Sequence, residues 1–324
     1  MNRHERRRSA IGRLCLAPLA AAAALGSTTT LAAAQTPIHV RAGAAGNDFA
    51  TPLLYALDSG MFRDAGLDVE LQLLNNGPAV AAALAGNSID FGIVSLFAVV
   101  NAHARGVPLT LIAGSTMYSV TNPAIGLLVL ASGPVHSVSE LSGKTVSSSA
   151  LNDILAVSIK GSVDRSGGHS DTMQFVELTG TQIASALDTG RITAAGVTNP
   201  TLASLVATGK YRNLGDPSGG IAPRFLATAW ISSTDYVQKN PAVVRAFAAV
   251  LAKAAAFADT HEPQTAPTLA KYSGIELTTV LHMTRAKFET ALEPRDIQPV
   301  IDAAAKYKVI PKGFDAREII ASYS

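Results

Sequence analysis

The sequence predicts an α/β protein built from two similar units behind a removable leader. Three observations predict it. Short alternating runs trade places with amphipathic runs across connections of a few residues, the pattern of a parallel sheet covered by helices. Two glycine pairs recur with one spacing, Gly86 to Gly92 and Gly190 to Gly196, each a helix-stop glycine six residues before a strand glycine. The first 34 residues run basic, then apolar, then small.

The leader comes first. Arg3, Arg6, Arg7, Arg8 and Arg13 give a basic start, Leu14 to Leu25 an apolar run broken by Pro18, and Ala32-Ala33-Ala34 the small residues that precede a signal-peptidase cut. The apolar run has 12 residues, against the roughly 20 that a membrane span needs. Residues 1–34 are therefore expected to be a signal peptide, cleaved near Ala34, with a periplasmic product starting near Gln35. The whole chain holds 26 Lys and Arg against 24 Asp and Glu; without the leader these become 21 and 23, a formal net of −2. No basic stripe remains to meet nucleic acid. The single cysteine, Cys15, leaves with the leader, so no disulfide is expected.

In the mature chain, residues 38–42 alternate as a strand and 50–64 put Leu53, Leu54, Leu57, Met61 and Phe62 on one helical face. Gly66 stops that helix, and 67–74 alternate again. Asn76-Gly77-Pro78 opens the next helix, since proline fits a first turn. A strand over 89–93, a helix over 96–105 and a strand over 109–113 complete the first unit. Residues 124–130 read as a strand crossing out of it. The second unit has strands near 144–147, 173–176 and 194–197, with helices near 152–165, 182–188 and 202–207. Residues 227–232 read as the return crossing. Asn240-Pro241 then starts a long helix with Val243, Val244, Phe247, Val250, Leu251, Ala254 and Phe257 on its apolar face. Helical segments follow to the end, with Pro294, Pro299 and Pro311 as expected breaks. No run after the leader reads as long and charge-free enough to span a bilayer.

Motifs for chemistry are sparse. The seven histidines are dispersed, with no His-x-x-x-His pair, so no metal is expected. Gly143-Lys144-Thr145 ends like a phosphate loop, but the position that needs glycine holds Val138. There is no Gly-x-Ser-x-Gly elbow, and no Gly-x-Gly-x-x-Gly follows the first strand. No catalytic residue and no cofactor are assigned.

The positive signal is positional. In open α/β sheets ligands bind beyond the carboxyl ends of strands, where helix N-termini present free N–H groups. The loops there hold Asn47, Asp48, Phe49 and Thr51 after the first strand, Asn75 and Asn76 after the second and Ser95 after the third. In the second unit they hold Ser147 and Ser149, then Asn199. These residue types also serve as ordinary caps and turns; their convergence on one sheet edge is what predicts a ligand site. Trp230, on the return strand, is a candidate to stack on a ligand ring.

The blocks Leu54-x-x-Ala-x-x-x-Gly60-x-Phe62-x-x-x-Gly66-Leu-x-Val-Glu70, Ala83-Leu84-Ala-Gly86-x-x-Ile-Asp90-Phe-Gly92 and Ala104-x-Gly106-x-Pro108-Leu resemble periplasmic binding proteins of the nitrate/sulfonate/taurine ABC-transporter class. So do Leu141-x-Gly143-Lys144-Thr145-Val, Ala186-Leu187-Asp-x-Gly190 and Asn240-Pro241-x-Val-Val. The resemblance implies a type II periplasmic-binding fold, two α/β lobes joined by two crossing strands. Lobe 1 is expected over 37–131 plus 225–324 and lobe 2 over 132–224. It also implies a monomeric solute carrier for an ABC importer, partnered by membrane permease and ATPase subunits, that closes on a sulfonate, nitrate, pyrimidine or small carboxylate. A fungal thiamine-pyrimidine synthase resembles the same family and is the enzymatic alternative; it uses a cysteine-rich motif, which the mature chain lacks. Asn199-Pro200 and Thr193 stand where the family often carries acidic residues, a departure that bears on the ligand.

Overall fold

The computed structural model describes residues 36–178, 180 and 182–321; the expected signal peptide lies outside them. Residues from Thr36 onward form one compact unit. The chain runs β1 (Ile38–Ala44), α1 (Thr51–Asp58), α2 (Met61–Asp64), β2 (Leu67–Leu73), α3 (Gly77–Ala85), β3 (Phe91–Ser95), α4 (Leu96–Ala104), β4 (Leu109–Ser119), β5 (Ile125–Leu130) and β6 (Thr145–Ser148). It continues through α5 (Ile154–Arg165), β7 (Gln174–Glu177), α6 (Gln182–Asp188), β8 (Ala194–Thr198), α7 (Thr201–Ala207), β9 (Tyr211–Asn213) and β10 (Arg224–Ser233). It ends with α8 (Thr234–Lys239), α9 (Pro241–Thr260), α10 (Glu262–Ser273), α11 (Leu277–His282), β11 (Lys287–Phe288) and α12 (Pro294–Lys306).

Two sheets result. A six-stranded sheet has the order β11-β4-β10-β3-β1-β2 and a five-stranded sheet the order β7-β6-β8-β5-β9. In each, three strands pair in parallel, β2-β1-β3 and β7-β6-β8. These are the βαβ halves that the sequence pattern predicts. The antiparallel partners β10 and β5 join them on one side. Each sheet with its helices forms one lobe of an α/β protein.

The structure refines several boundaries. The segment expected to cross between units, Ile125–Leu130, pairs along its length with β8 and β9 as a member of the second sheet. It packs Leu127 and Val129 into one core cluster and Leu128 into another, which only a strand covered on both faces can do. The change of sheet therefore falls between Ser119 and Ile125, and the return between Asn213 and Arg224. β10 likewise belongs wholly to the first sheet. β4 runs on past Ala113 to Ser119, because Gly114 to Ser119 pair with β10. Gly114 packs directly on the Glu289 carbonyl, where a side chain would collide. The helix expected over 50–64 breaks at Gly60, whose φ of 83° is left-handed. Pro294 opens α12, and Pro299 is carried inside it instead of ending it.

α9 is long and apolar enough, by length and composition, to cross a membrane, which the sequence reading did not anticipate. Its apolar face instead fills the core: Val244, Phe247 and Leu251 are fully buried, while Arg245 and Lys253 face solvent. Phe247 stacks on Phe91 and Phe62, with ring centroids 4.1 and 5.2 Å apart. A second cluster reaches from α4 and α12 across to Ile125, Ile154 and Leu155, so apolar packing continues from one lobe into the other.

Candidate functional site

The carboxyl ends of both parallel halves face one cleft of about 230 Å³. Lobe 1 contributes Asn47, Phe49, Asn75, Asn76, Val80, Ile93, Val94, Ser95 and Thr228. Lobe 2 contributes Ile125, Ser149, Asp153, Ile154, Leu155, Leu178, Gly180, Ile183, Val197 and Thr201.

Local chemistry holds these groups in place. Asn47 ends β1 in extended backbone and accepts a hydrogen bond from Phe49 N through Oδ1, which aims the Phe49 turn at the cleft. Asn76 caps α3: its Oδ1 accepts from Ala79 N at 3.0 Å. Asp153 caps α5 in the same way, accepting from Ala156 N at 3.0 Å. It also accepts from Ala150 N, Ser148 Oγ and Ser149 Oγ. Burial pushes the Asp153 carboxyl above its ordinary range, and these four donors pull the other way.

Of the residues singled out from sequence, Asn47, Phe49, Asn75, Asn76, Ser95 and Ser149 line the cleft. The other five lie elsewhere. Asp48 is buried behind the loop against Arg285, and Thr51 donates to Asp48. Ser147 is fully buried on β6, one residue on from Val146 in the α5-side core, so it faces the opposite side of the sheet. Asn199 bonds across the lobes: its Nδ2 donates to the Thr284 carbonyl at 2.8 Å, and its own carbonyl accepts from Asp48 N at 3.4 Å. The Asn199-Pro200 peptide bond is cis. Trp230 is 1% exposed and packs its edge on Phe247 in the core, so it does not reach the cleft.

Sequence reasoning missed the apolar half of the site and Asp153. Ile154, Leu155 and Ile183 sit in first turns, where apolar residues read as core. The available signal was the order Ser147-Ser148-Ser149 followed by Asp153-Ile154-Leu155, a strand end followed by a capped helix with apolar residues in its first turn.

A two-sheet α/β molecule with a ligand-sized cleft at the facing strand ends is the architecture of a periplasmic binding protein. Comparison with solved structures agrees on the fold. The periplasmic aliphatic sulphonate binding protein SsuA from Escherichia coli matches with a TM-score of 0.72 at 20% identity, over 88% of this chain and 97% of that one. The alkanesulfonate-binding protein SsuA from Xanthomonas axonopodis pv. citri, bound to MOPS, matches with a TM-score of 0.74 at 20% identity, over 88% and 98%. Residues 47–266 match the NMT1/THI5-like family, and the chain belongs to it. A curated relative from Brucella abortus, named as a candidate binding protein, is 23% identical over 247 residues, 74% of this chain and 73% of its own length.

Proposed function

We propose that this protein is the periplasmic solute-binding subunit of an ABC importer, a monomer that captures a small solute by closing its two lobes and presents it to membrane permease and ATPase subunits. The observation that carries the reading is the division of the cleft: each lobe contributes its own strand-end loops, so a ligand held there touches both. Such a ligand favours the closed arrangement by its difference in affinity between closed and open forms, and by no more than that. A micromolar carrier needs about 8 kcal/mol of binding free energy. The solved neighbours support the reading, since both are named as sulfonate-binding proteins and the one from Escherichia coli as periplasmic. The basic, apolar, small leader supports export.

The lobes already share contacts that closure would adjust. Tyr307 OH, beyond α12, donates to Asp164 Oδ2 on α5 at 3.0 Å, and Asn199 bonds Thr284.

A thermal-shift screen of sulfonates, nitrate, pyrimidines and small carboxylates, followed by small-angle scattering with any hit, tests the proposal. The expected result is a stabilising ligand that also reduces the radius of gyration. Conversion of a bound compound into a product, or binding with no compaction, overturns it.

A further inference from the structure

Three observations on the cleft's polar groups bear on the charge of its ligand.

First, among the described lining residues there is no Lys, Arg or His, and the one ionisable group is Asp153. No cation lies in salt-bridge range of it among the described residues. A carboxylate has about four lone-pair sites, and here four donors occupy them: Ser148 Oγ and Ala156 N on Oδ1, Ser149 Oγ and Ala150 N on Oδ2. Asp153 therefore repels an anion in the cleft yet keeps no lone pair with which to hold an ammonium group.

Second, at two of the helix N-termini that commonly bind anions, those of α3 and α5, the chain itself takes part of the first-turn N–H groups. In α3, Pro78 has no N–H, Ala79 N is taken by Asn76 Oδ1, and Val80 N by the Asn76 carbonyl at 3.2 Å. In α5, Ala156 N and Val157 N both go to Asp153. The dipole at that end of α5 already faces a carboxylate.

Third, the polar side chains whose hydrogen bonds are fixed differ between the lobes, while Asn75 and Ser95 on lobe 1 and Thr201 on lobe 2 can donate or accept. Asn47 and Asn76 each turn Oδ1 to a backbone N–H, and their Nδ2 amides have no protein partner among the described residues, which leaves them as donors on lobe 1. Ser149 donates its hydroxyl hydrogen bond to Asp153, so toward the cleft its Oγ offers lone pairs and acts as an acceptor on lobe 2. Between them the walls are apolar, with Phe49, Ile93, Ile154, Leu155, Ile183 and Val197. A cavity of about 150 Å³ takes benzene; about 230 Å³ takes a substituted single ring.

We infer that the cleft recognises a neutral, largely apolar single-ring molecule bearing an amide-like pair, its carbonyl meeting the Asn47 and Asn76 amides and its N–H meeting Ser149 Oγ, and that it rejects the matching anion. The inference rests on the solute-carrier reading and narrows its ligand.

Benzamide and benzoate have nearly one shape and differ in charge and in the N–H donor, so calorimetric titration of the unmodified protein with each is the direct test. Benzamide is expected to bind at least about tenfold tighter than benzoate. N,N-dimethylbenzamide, which keeps the carbonyl and loses the N–H, is expected to fall about fivefold below benzamide, the size of one neutral hydrogen bond. Ser149→Ala is expected to erase the difference between the two amides. Benzoate, ethanesulfonate or nitrate binding as tightly as benzamide overturns the charge selection while leaving the carrier reading intact. A cleft that takes none of these probes also overturns the inference, and the carrier reading is then still decided by compaction with its own ligand.

Discussion

Asp48 and Arg285, 237 residues apart in sequence, form a buried ion pair at 2.7 Å directly behind the loop that carries Asn47 and Phe49 into the cleft. Asp48 also accepts from Ala286 N at 2.6 Å and from Thr51 Oγ1, and Arg285 reaches Thr51 and Thr265. Burial pushes the Asp48 carboxyl upward, with Arg285 opposing it. The pair fastens the first strand-end loop to the segment between α11 and β11.

Removing one partner leaves a charge buried and unpaired, which costs about 3–5 kcal/mol. Arg285→Leu is therefore expected to lower stability by that amount in chemical denaturation. Replacing both partners with apolar groups, Asp48→Leu with Arg285→Met, is expected to recover most of the loss. A single variant costing under about 1 kcal/mol would show that the pair does not hold the loop.

Asn76→Ala tests a residue with two roles. As the cap of α3 it contributes about 1 kcal/mol of stability. As a cleft donor it should also contribute to ligand affinity, by about fivefold for a neutral hydrogen bond. Both losses are expected, one in the melting curve and the other in the titration. Lost stability with unchanged affinity would leave Asn76 as a cap alone.

These residues show what the sequence made legible. Asn76-Gly77-Pro78 and Asn47 could be read because capping is local: the acceptor and the N–H it satisfies lie within three residues. The βαβ order was legible for a similar reason, since period and turn chemistry are local signals. Asp48 looked like a cleft residue because it stands beside Asn47. Its partner Arg285 lies in a stretch without periodicity, and nothing nearby announces the pairing. Trp230 shows the same limit: a strand residue faces one side or the other according to register, and only the packed α9 reveals that this face is core. The apolar lining of Ile154, Leu155 and Ile183 was hidden because a residue facing a cleft and one facing a core follow the same helical period.

Gly161 on α5 packs against the carbonyl of Gly220, in the turn Pro217–Gly220 where the chain returns to the first sheet. A Cβ at position 161 would collide with that backbone, and backbone yields less than a side-chain tip. Gly161→Ala is expected to cost about 1–3 kcal/mol by overpacking. It should also displace the return crossing, so ligand-induced compaction should change along with the melting point. An unchanged melting point would show that the turn moves freely.

Alkaline pH gives the last prediction. Tyr211 is 6% exposed, and its OH donates to Asp188 Oδ1 at 2.8 Å. Burial first, then the carboxylate that accepts its proton, push it from the ordinary 10.0 up to about 12. Tyr118, Tyr236 and Tyr307 are pushed up to about 12 as well, chiefly by burial. A raised folded-state pKa means that the unfolded chain loses these protons first. The stabilisation is thus complete below the unfolded value of 10.0 and is lost as pH rises through about 12. Stability is expected to decline across that window, in step with late-appearing tyrosinate absorbance. Tyr211→Phe gives up one hydrogen bond, about 1 kcal/mol at neutral pH, and removes one titrating group, so its decline between pH 10 and 12 should be shallower than that of the unmodified protein. Parallel declines in the two proteins would mean that Tyr211 titrates alike folded and unfolded, and that its bond to Asp188 does not hold the proton.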